Sequence, residues 1–138
     1  MSKIESYFKD GSELLHPYLI AEIGSNHRGQ LDLALQQINA AKECGADAVK
    51  FQYYTHKDLY GYDGDVQFPF QLEWLPAIRG CCDGANVDLI MSAFSFNGFV
   101  EISPFVDAFK VASSEVVDLK LLEEIVFFTK PVFISTGC

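Results

Sequence analysis

The sequence is poor in positive charge. Its 138 residues include 10 lysines and arginines against 19 aspartates and glutamates, which gives a formal net charge of −9. Nucleic acids and anionic membranes repel such a chain at long range, so we expect neither as a partner. Any anionic ligand must instead be held by individual lysines and backbone amides.

Several signals of other protein classes are also missing. No apolar run reaches membrane-spanning length, and the amino terminus lacks the apolar segment and cleavage chemistry of a secretory signal. The cysteines show no paired metal-site spacing, and two of them are adjacent, which is a poor disulfide framework (Cys44, Cys81, Cys82 and Cys138). We interpret them as small buried apolar residues and predict a cytoplasmic protein.

What the sequence does contain is a regular alternation of segment types. Five apolar runs read as strands: "YLIAEIG" from residue 18, Ala48 to Tyr53, "DLIMSAFS" from residue 88, "DAFKVASSE" from residue 107 and "PVFISTG" from residue 131. Residues 31–44 have apolar residues at helical spacing, followed by Gly45 as a left-handed cap. The segment 70–82 also reads as a helix, disturbed by Pro76.

A further helix is predicted after Asp118, which can cap its amino terminus. Its apolar stripe comprises Leu121, Leu122, Ile125 and Val126. Strands alternating with helices indicate parallel βαβ units in an α/β fold. A doubly wound sheet and a (β/α)₈ barrel both satisfy this pattern, although no G-x-G-x-x-G motif supports a dinucleotide-binding sheet.

Polar residues recur at the carboxyl ends of these strands, where a barrel places its chemistry. They are Glu22, Lys50, Gln52, Ser92, Lys110, Ser113, Glu115, Ser135 and Thr136. Lys50 and Gln52 share one face of their strand, because side chains alternate. Burying such groups separately costs several kcal/mol, which favours one common site. Ser92 and Thr136 are interpreted as loop-capping residues, and His27 as a hydrogen-bonding element of its loop.

Two lysines with nearby hydroxyl groups suit phosphate and carboxylate oxygens, so a small phosphorylated acid is a reasonable ligand. Glu22 or Glu115 could move protons or hold a polyhydroxylated second substrate. The alternative use of an interior lysine is Schiff-base formation with a carbonyl substrate.

Three motifs, "YLIAEIGSNHRGQLDLALQQINAAKECGADAVKFQ", "FKVASSE" and "PVFISTG", resemble the amino-terminal part of the sialic acid synthase family, which includes N-acetylneuraminate, legionaminate and pseudaminate synthases. The resemblance covers most of residues 18–137. It implies a (β/α)₈ TIM-barrel fold, usually followed by a small antifreeze-like domain. Members of the sialic acid synthase family condense phosphoenolpyruvate with an N-acetylated amino sugar of the N-acetylmannosamine type. The reaction releases phosphate and forms a 2-keto sugar acid.

The resemblance also implies a role for each residue. Phosphoenolpyruvate would be bound by Lys50, Lys110, Ser113 and Ser135, and the sugar by Gln52 and Glu115. Glu22 would be the catalytic carboxylate closest to the reacting carbons. A divalent metal, manganese or magnesium, would polarise the aldehyde. The family's metal-binding histidines come from later strands, so no metal ligand is expected in this chain, and the Schiff-base role becomes less favoured.

The sequence departs from the family in two ways. It has "MSAFS" where the family commonly has Ser-Thr-Pro-Phe, and Tyr53 where a threonine is common. A full barrel takes about 250 residues. We therefore predict an amino-terminal extension in residues 1–17 and the first five βα units of a barrel in residues 18–138.

This arrangement leaves open sheet edges, which predicts a homo-oligomer or association with a missing carboxyl-terminal half, and no activity for the isolated chain. Two other interpretations remain. One is a non-catalytic remnant or subunit that keeps an anion pocket, and the other is a Schiff-base aldolase-like barrel.

Overall fold

The computed structural model describes residues 2–9 and 17–137. One parallel sheet contains five strands: β1 (Ile20–Gly24), β2 (Ala48–Tyr53), β3 (Asp88–Ala93), β4 (Ala108–Val111) and β5 (Val132–Ile134). The helices are α1 (Lys3–Lys9), α2 (Leu31–Glu43), α3 (His56–Tyr60), α4 (Leu75–Ala85), α5 (Phe96–Ile102) and α6 (Leu119–Ile125). Spatial strand order follows chain order. This order is that of consecutive barrel units, whereas a doubly wound sheet reverses at a switch point.

The outer face of the sheet forms the main core with the helices. Val49, Phe51, Leu89 and Phe109 are fully buried there, in one cluster with residues of α2 and α4. Their alternation with Lys50 and Gln52 explains why one face of β2 is apolar and the other polar. Val49 and Phe51 thus pack against the helical layer.

Helix α2 ends as predicted. Gly45 has φ +87° in the left-handed region, and its N–H donates to the carbonyl of Lys42. No atom lies within 4 Å of the place where a Cβ would project from Gly45, so the backbone angle alone favours glycine.

The expected effect of Pro76 was wrong. Helix α4 begins at Leu75, and Pro76 lies in its first turn, where a backbone N–H has no helical partner to lose. A 3₁₀ turn, Leu72–Trp74, leads into the helix. The proline therefore starts the helix and does not disturb it.

Helix α6 is capped as predicted, but its stripe is shorter. The Asp118 side chain accepts a hydrogen bond of 3.0 Å from the N–H of Leu121. Leu121 and Ile125 are buried, whereas Val126 is 66% exposed. The α-helix ends at Ile125, and the 3₁₀ turn that follows directs Val126 to solvent, so its place in the stripe was wrong.

The cysteines differ in their surroundings. Cys82 is buried, Cys81 is half-buried and Cys44 is exposed at the end of α2. Cys138 lies outside the described residues. The interpretation of the cysteines as buried apolar residues is confirmed for Cys82 and wrong for Cys44.

The sheet face opposite the main core is called the inner face, and helix α1 packs against it near the amino-terminal ends of the strands. The sequence did not predict this packing. Ile4 is fully buried in a second cluster with Ala48, Ile90 and Ala108. The Asp88 carboxylate fixes the helix by accepting hydrogen bonds from the backbone N–H groups of Lys3 at 3.1 Å and Ile4 at 2.6 Å. The inner face is therefore apolar near the amino-terminal ends of the strands and polar near their carboxyl ends. No helix in the described part of the chain is long and apolar enough to cross a membrane.

Candidate active site

Strand register brings the predicted polar residues to one face. Glu22 pairs with Lys50 across β1 and β2. Gln52 pairs with Ser92, and Ser92 with Lys110, across β2, β3 and β4. Cross-strand partners in a parallel sheet share a face, so these five residues form two adjacent polar rows above the apolar cluster.

Lys50 is neutralised by a carboxylate that remains open to solvent. Its Nζ lies 3.0 Å from Oε1 and 2.8 Å from Oε2 of Glu22. The Lys50 side chain is 12% exposed and that of Glu22 is 57% exposed. The site therefore has a nearly buried cation whose counter-ion can be hydrated if an anionic ligand takes its place.

The end of β1 makes room for this pair. The strand register shifts between Glu22 and Gly24, and Gly24 has φ +54°. A Cβ on Gly24 would lie 3.2 Å from Oε1 of Glu22, which is tighter than an ordinary contact. A side chain here would thus strain the backbone and press on the Glu22 carboxylate.

Lys110 is a second cation on this face, and its surroundings disfavour its positive charge. Its Nζ donates a hydrogen bond of 2.7 Å to the carbonyl of Val111. Burial lowers the pKa of the Lys110 ammonium, the charge of Lys50 lowers it further, and Glu22 opposes this trend. The charge of Lys50 therefore disfavours the charged form of Lys110, and an anion bound beside Lys110 would offset this repulsion.

Gln52 is tied to the loop that follows β1. Its Nε2 donates a hydrogen bond of 2.9 Å to Oγ of Ser25. Ser92 beside it is 3% exposed within β3, so its interpretation as a loop-capping residue was wrong. The signal for its true position was its spacing of two residues from Ile90, which lies on the same inner face.

His27 is a structural element of the same loop, as predicted. It is fully buried, and its Nδ1 accepts a hydrogen bond of 3.1 Å from the N–H of Gly29. The proton of the neutral ring is then on Nε2. The ring meets Phe70 and Trp74 edge to face at centroid distances of 5.9 and 5.4 Å. Burial lowers the His27 pKa, so the ring stays neutral at pH 7.

The remaining predicted residues lie after β4 and β5. Ser113 and Glu115 occupy the turn that follows β4, and the Ser135 N–H donates to the carbonyl of Val111 at the end of β4. All three side chains are half-buried. Among the described residues, no hydrogen bond or ion pair joins the side chain of Glu115 or Ser135 to either lysine. Among the predicted site residues, Glu22 and Lys50 are in direct contact.

A divalent metal was expected for the complete enzyme. Residues 2–9 and 17–137 contain no group of three His, Cys, Asp or Glu side chains that could hold a metal ion. These residues do not fit a metal site by themselves, and we assign no step through a metal to them.

The chain is similar to known proteins in sequence and in fold. Residues 61–138 match the NeuB family. The pseudaminic acid synthase of Helicobacter pylori is 29% identical over 143 residues, covering 88% of this chain and 42% of the relative. Human N-acetylneuraminate-9-phosphate synthase is 63% identical over 38 residues, covering 27% of this chain and 11% of the relative.

A solved structure is similar over most of the chain. The N-acetylneuraminic acid (sialic acid) synthetase of Leptospira borgpetersenii, in complex with citrate, has a TM-score of 0.81 at 26% identity, over 87% of this chain and 44% of that protein. This chain thus spans less than half of the length of each of these proteins. The predicted fold class and family resemblance are confirmed. The chain belongs to the NeuB family.

Proposed function

We propose that the inner face of this sheet is the phosphoenolpyruvate-binding part of a synthase that condenses this acid with an N-acetylated amino sugar of the N-acetylmannosamine type. The observation that carries the proposal is the pair of lysines on one polar face, Lys50 nearly buried and Lys110 with a lowered pKa. Two cations on one partly desolvated face of the sheet favour a small multiply charged anion.

Each predicted residue then has a chemical role. Lys50 and Lys110 bind the carboxylate and phosphate oxygens, and the Ser113 and Ser135 hydroxyl groups donate further hydrogen bonds. Glu22 leaves Lys50 when the anion arrives, which places its carboxylate at the reacting carbons as the catalytic base.

The reaction forms one carbon–carbon bond. The enol carbon of phosphoenolpyruvate attacks the aldehyde carbon of the open-chain sugar, and water adds at the carbon that bears the phosphate. Glu22 takes a proton from that water and passes it to the oxygen of the former aldehyde, which becomes a hydroxyl group. The carbon that the water attacked then carries a hydroxyl group and the phosphate. Its carbon–oxygen bond to phosphate breaks, the hydroxyl proton leaves with the phosphate, and a 2-keto sugar acid remains. Gln52 and Glu115 hold the sugar at the carboxyl end of the strands. The complete enzyme would use manganese or magnesium, for which we assign no ligand in this chain.

The sheet edges suggest how such a site would be completed. Ile20 is 38% exposed on the β1 edge strand, Ile134 is 49% exposed on the β5 edge strand, and Phe127 near β5 is 84% exposed. Open parallel edges with apolar side chains favour further pairing. We propose that a second copy or the remaining βα units cover them, in a cytoplasmic assembly.

Calorimetric titration of phosphoenolpyruvate into the chain tests the proposal. A charge-assisted hydrogen bond contributes about 1.5–3 kcal/mol, so Lys110→Met and Lys50→Met should each weaken binding by about 10- to 150-fold. Lys120→Met is the matched control, because the Lys120 side chain is 83% exposed on α6. Unchanged affinity in both inner-face variants would refute the proposal.

Turnover is a separate question. We expect no steady phosphate release from the chain with phosphoenolpyruvate, manganese and N-acetylmannosamine, although binding persists. If binding persists and complementation by later βα units also gives no turnover, the chain is a non-catalytic subunit with an anion pocket.

A Schiff-base function is the second candidate, because burial and Lys50 lower the Lys110 pKa. A lysine of lowered pKa is more often neutral and nucleophilic. Borohydride would reduce the imine formed between Lys110 and a carbonyl substrate, and so leave the substrate covalently attached to Lys110. Absence of any trapped adduct, detected by mass spectrometry, would remove this candidate.

A further inference from the structure

The Lys110 side chain lies in surroundings that favour an uncharged amine. On the inner face its cross-strand neighbours are Ser92 of β3 and Phe133 of β5. Ser92 is buried, and Phe133 is half-buried against the apolar cluster of that face. An amino group between such neighbours is partly removed from water, which disfavours its charged form. Burial accordingly lowers the pKa of Lys110, and the charge of Lys50 lowers it further.

The Lys110 nitrogen is also held in a defined place. The carbonyl of Val111 accepts a hydrogen bond of 2.7 Å from Nζ of Lys110 and one of 3.2 Å from the N–H of Ser135. Nζ is therefore fixed at the carboxyl end of the sheet, where β4 meets the residue that follows β5. A carbonyl oxygen can only accept, so in an uncharged amine an N–H points at Val111 and the lone pair points elsewhere. The amine is then available as a nucleophile.

Lys50 differs from Lys110 in its contact. Its Nζ meets both oxygens of the Glu22 carboxylate, at 3.0 and 2.8 Å, whereas Lys110 meets an uncharged carbonyl. The donors of Lys50 are thus directed at anionic oxygens, and a phosphate group can replace the carboxylate. The inner face therefore combines a lysine suited to hold an anion with a lysine suited to attack one.

A small acyl phosphate matches the anion that this face is proposed to bind. Phosphoenolpyruvate carries its phosphate on a planar carbon that is also bonded to a CH₂ group. In acetyl phosphate the carbon that bears the phosphate is planar too, and it is bonded to a methyl group of similar size. The phosphate can meet Lys50 in either molecule. The two differ in reactivity, because the planar carbon of the acyl phosphate is a carbonyl carbon, which an amine attacks.

We propose that Lys110 is a modification site for small acyl phosphates, which bind through Lys50 and transfer their acyl group to the Lys110 nitrogen. The inference rests on the proposed function and adds a form of regulation to the same site. An acetylated lysine has no charge and keeps one N–H in place of three. Acylation of Lys110 therefore removes one of the two cations and prevents phosphoenolpyruvate from binding.

The transfer needs no further reactant. The Lys110 ammonium releases a proton to solvent, and the lone pair of the amine attacks the carbonyl carbon. A carbon–nitrogen bond forms, the carbon–oxygen bond to phosphate breaks, and the phosphate leaves with the bonding electron pair. The second proton lost by the nitrogen passes to that phosphate. Lys50 stabilises the negative charge of the leaving group, and binding holds the reagent beside the amine.

Mass spectrometry of the 138-residue chain after treatment with acetyl phosphate tests the inference. The acetylation rate at each lysine is divided by its rate with acetic anhydride, an uncharged reagent, which corrects for exposure and basicity. We expect this ratio to be at least about tenfold larger at Lys110 than at Lys120, which is exposed on α6. The Lys110 rate should saturate with acetyl phosphate and fall when phosphoenolpyruvate or inorganic phosphate competes.

A substitution separates recognition of the phosphate from the reactivity of the amine. Lys50→Met should lower the corrected ratio at Lys110 about tenfold and leave that at Lys120 unchanged. Competition by inorganic phosphate in the unmodified chain reports the same recognition, so a folding defect of the variant does not decide the test. Phosphoenolpyruvate should bind to the chain acetylated at Lys110 about 10- to 150-fold more weakly, as it should to Lys110→Met.

Four results would overturn the inference: equal ratios at Lys110 and Lys120, preferential acetylation of Lys50, a Lys110 rate that phosphate does not lower, or undiminished phosphoenolpyruvate binding after acetylation of Lys110. Phosphoenolpyruvate binding that Lys110→Met still weakens would leave the proposed function standing after any of the first three. Binding that neither Lys110→Met nor Lys50→Met weakens would refute the proposed function itself.

Discussion

The Asp88 carboxylate holds α1 under the polar face, and its removal should destabilise the chain strongly. Asp88 is 5% exposed and accepts three hydrogen bonds, from the N–H groups of Lys3 and Ile4 and from the hydroxyl of Tyr18 at 2.7 Å. Burial and the Asp88 carboxylate raise the pKa of Tyr18, so this hydroxyl stays a donor. Asp88→Ala leaves all three donors without an acceptor.

The magnitude follows from how deeply these donors lie. An unsatisfied buried donor costs about 1–3 kcal/mol. The Ile4 N–H is buried and the other two donors are partly buried, which together suggests roughly 2–5 kcal/mol. Detachment of α1 limits the loss, because its donors then regain water at the cost of exposing Ile4, about 1.5–3 kcal/mol. We therefore expect a loss of about 2–4 kcal/mol.

Urea unfolding of the unmodified chain, Asp88→Ala and Asp83→Ala measures this loss of stability. Asp83→Ala is the control, since Asp83 forms a 2.7 Å ion pair with Arg79 but its side chain is 65% exposed, and such pairs contribute below about 1 kcal/mol. Hydrogen exchange at the Ile4 amide should accelerate in Asp88→Ala alone. The reasoning fails if Asp88→Ala is no less stable than Asp83→Ala.

Other predictions concern titration and backbone geometry. Phosphoenolpyruvate binding should weaken as pH rises through the lowered pKa of Lys110, below the pH at which an ordinary lysine titrates, and calorimetry across alkaline pH checks this. His27, with its pKa lowered by burial, contributes stability that is present above about pH 6.5 and lost as pH falls toward the lowered value. Urea midpoints should therefore drop more for the unmodified chain than for His27→Gln between about pH 7.5 and about pH 5.5; equal drops would contradict this. Gly45→Ala should cost roughly 1–2 kcal/mol at φ +87°, whereas Gly80→Ala inside α4 should stabilise by about 0.5–1 kcal/mol, although neither Cβ would meet an atom within 4 Å.

Local patterns in the sequence were enough to predict the five strands of the sheet, whereas their order was left open between two architectures. The bounds of β2 at Ala48 and Tyr53 are those predicted, because a period of two with apolar flanks leaves little choice. The same period placed Lys50 and Gln52 together. Errors came at segment ends, where Val126 leaves its stripe because a 3₁₀ turn replaces the last α-helical turn.

Contacts between distant residues could not be read from the sequence. Ile4 and Asp88 are 84 residues apart, and no local signal links the first turn of α1 to β3. The Glu22 and Lys50 pair depends on strand register, which sequence alone left open. Ser92 has the spacing of an inner-face residue. Its place beside Gln52 and Lys110 could be assigned only once the strand register was known.

Lysine acetylation in the presence of phosphoenolpyruvate tests the central claim most directly, because it reports where the acid binds. Mass spectrometry after brief treatment with acetic anhydride gives the modification rate at each lysine. We predict that saturating phosphoenolpyruvate protects Lys50 and Lys110 and leaves Lys120 unchanged. Unprotected Lys50 and Lys110, with saturating ligand bound elsewhere, would contradict the assignment of the inner face as the phosphoenolpyruvate site.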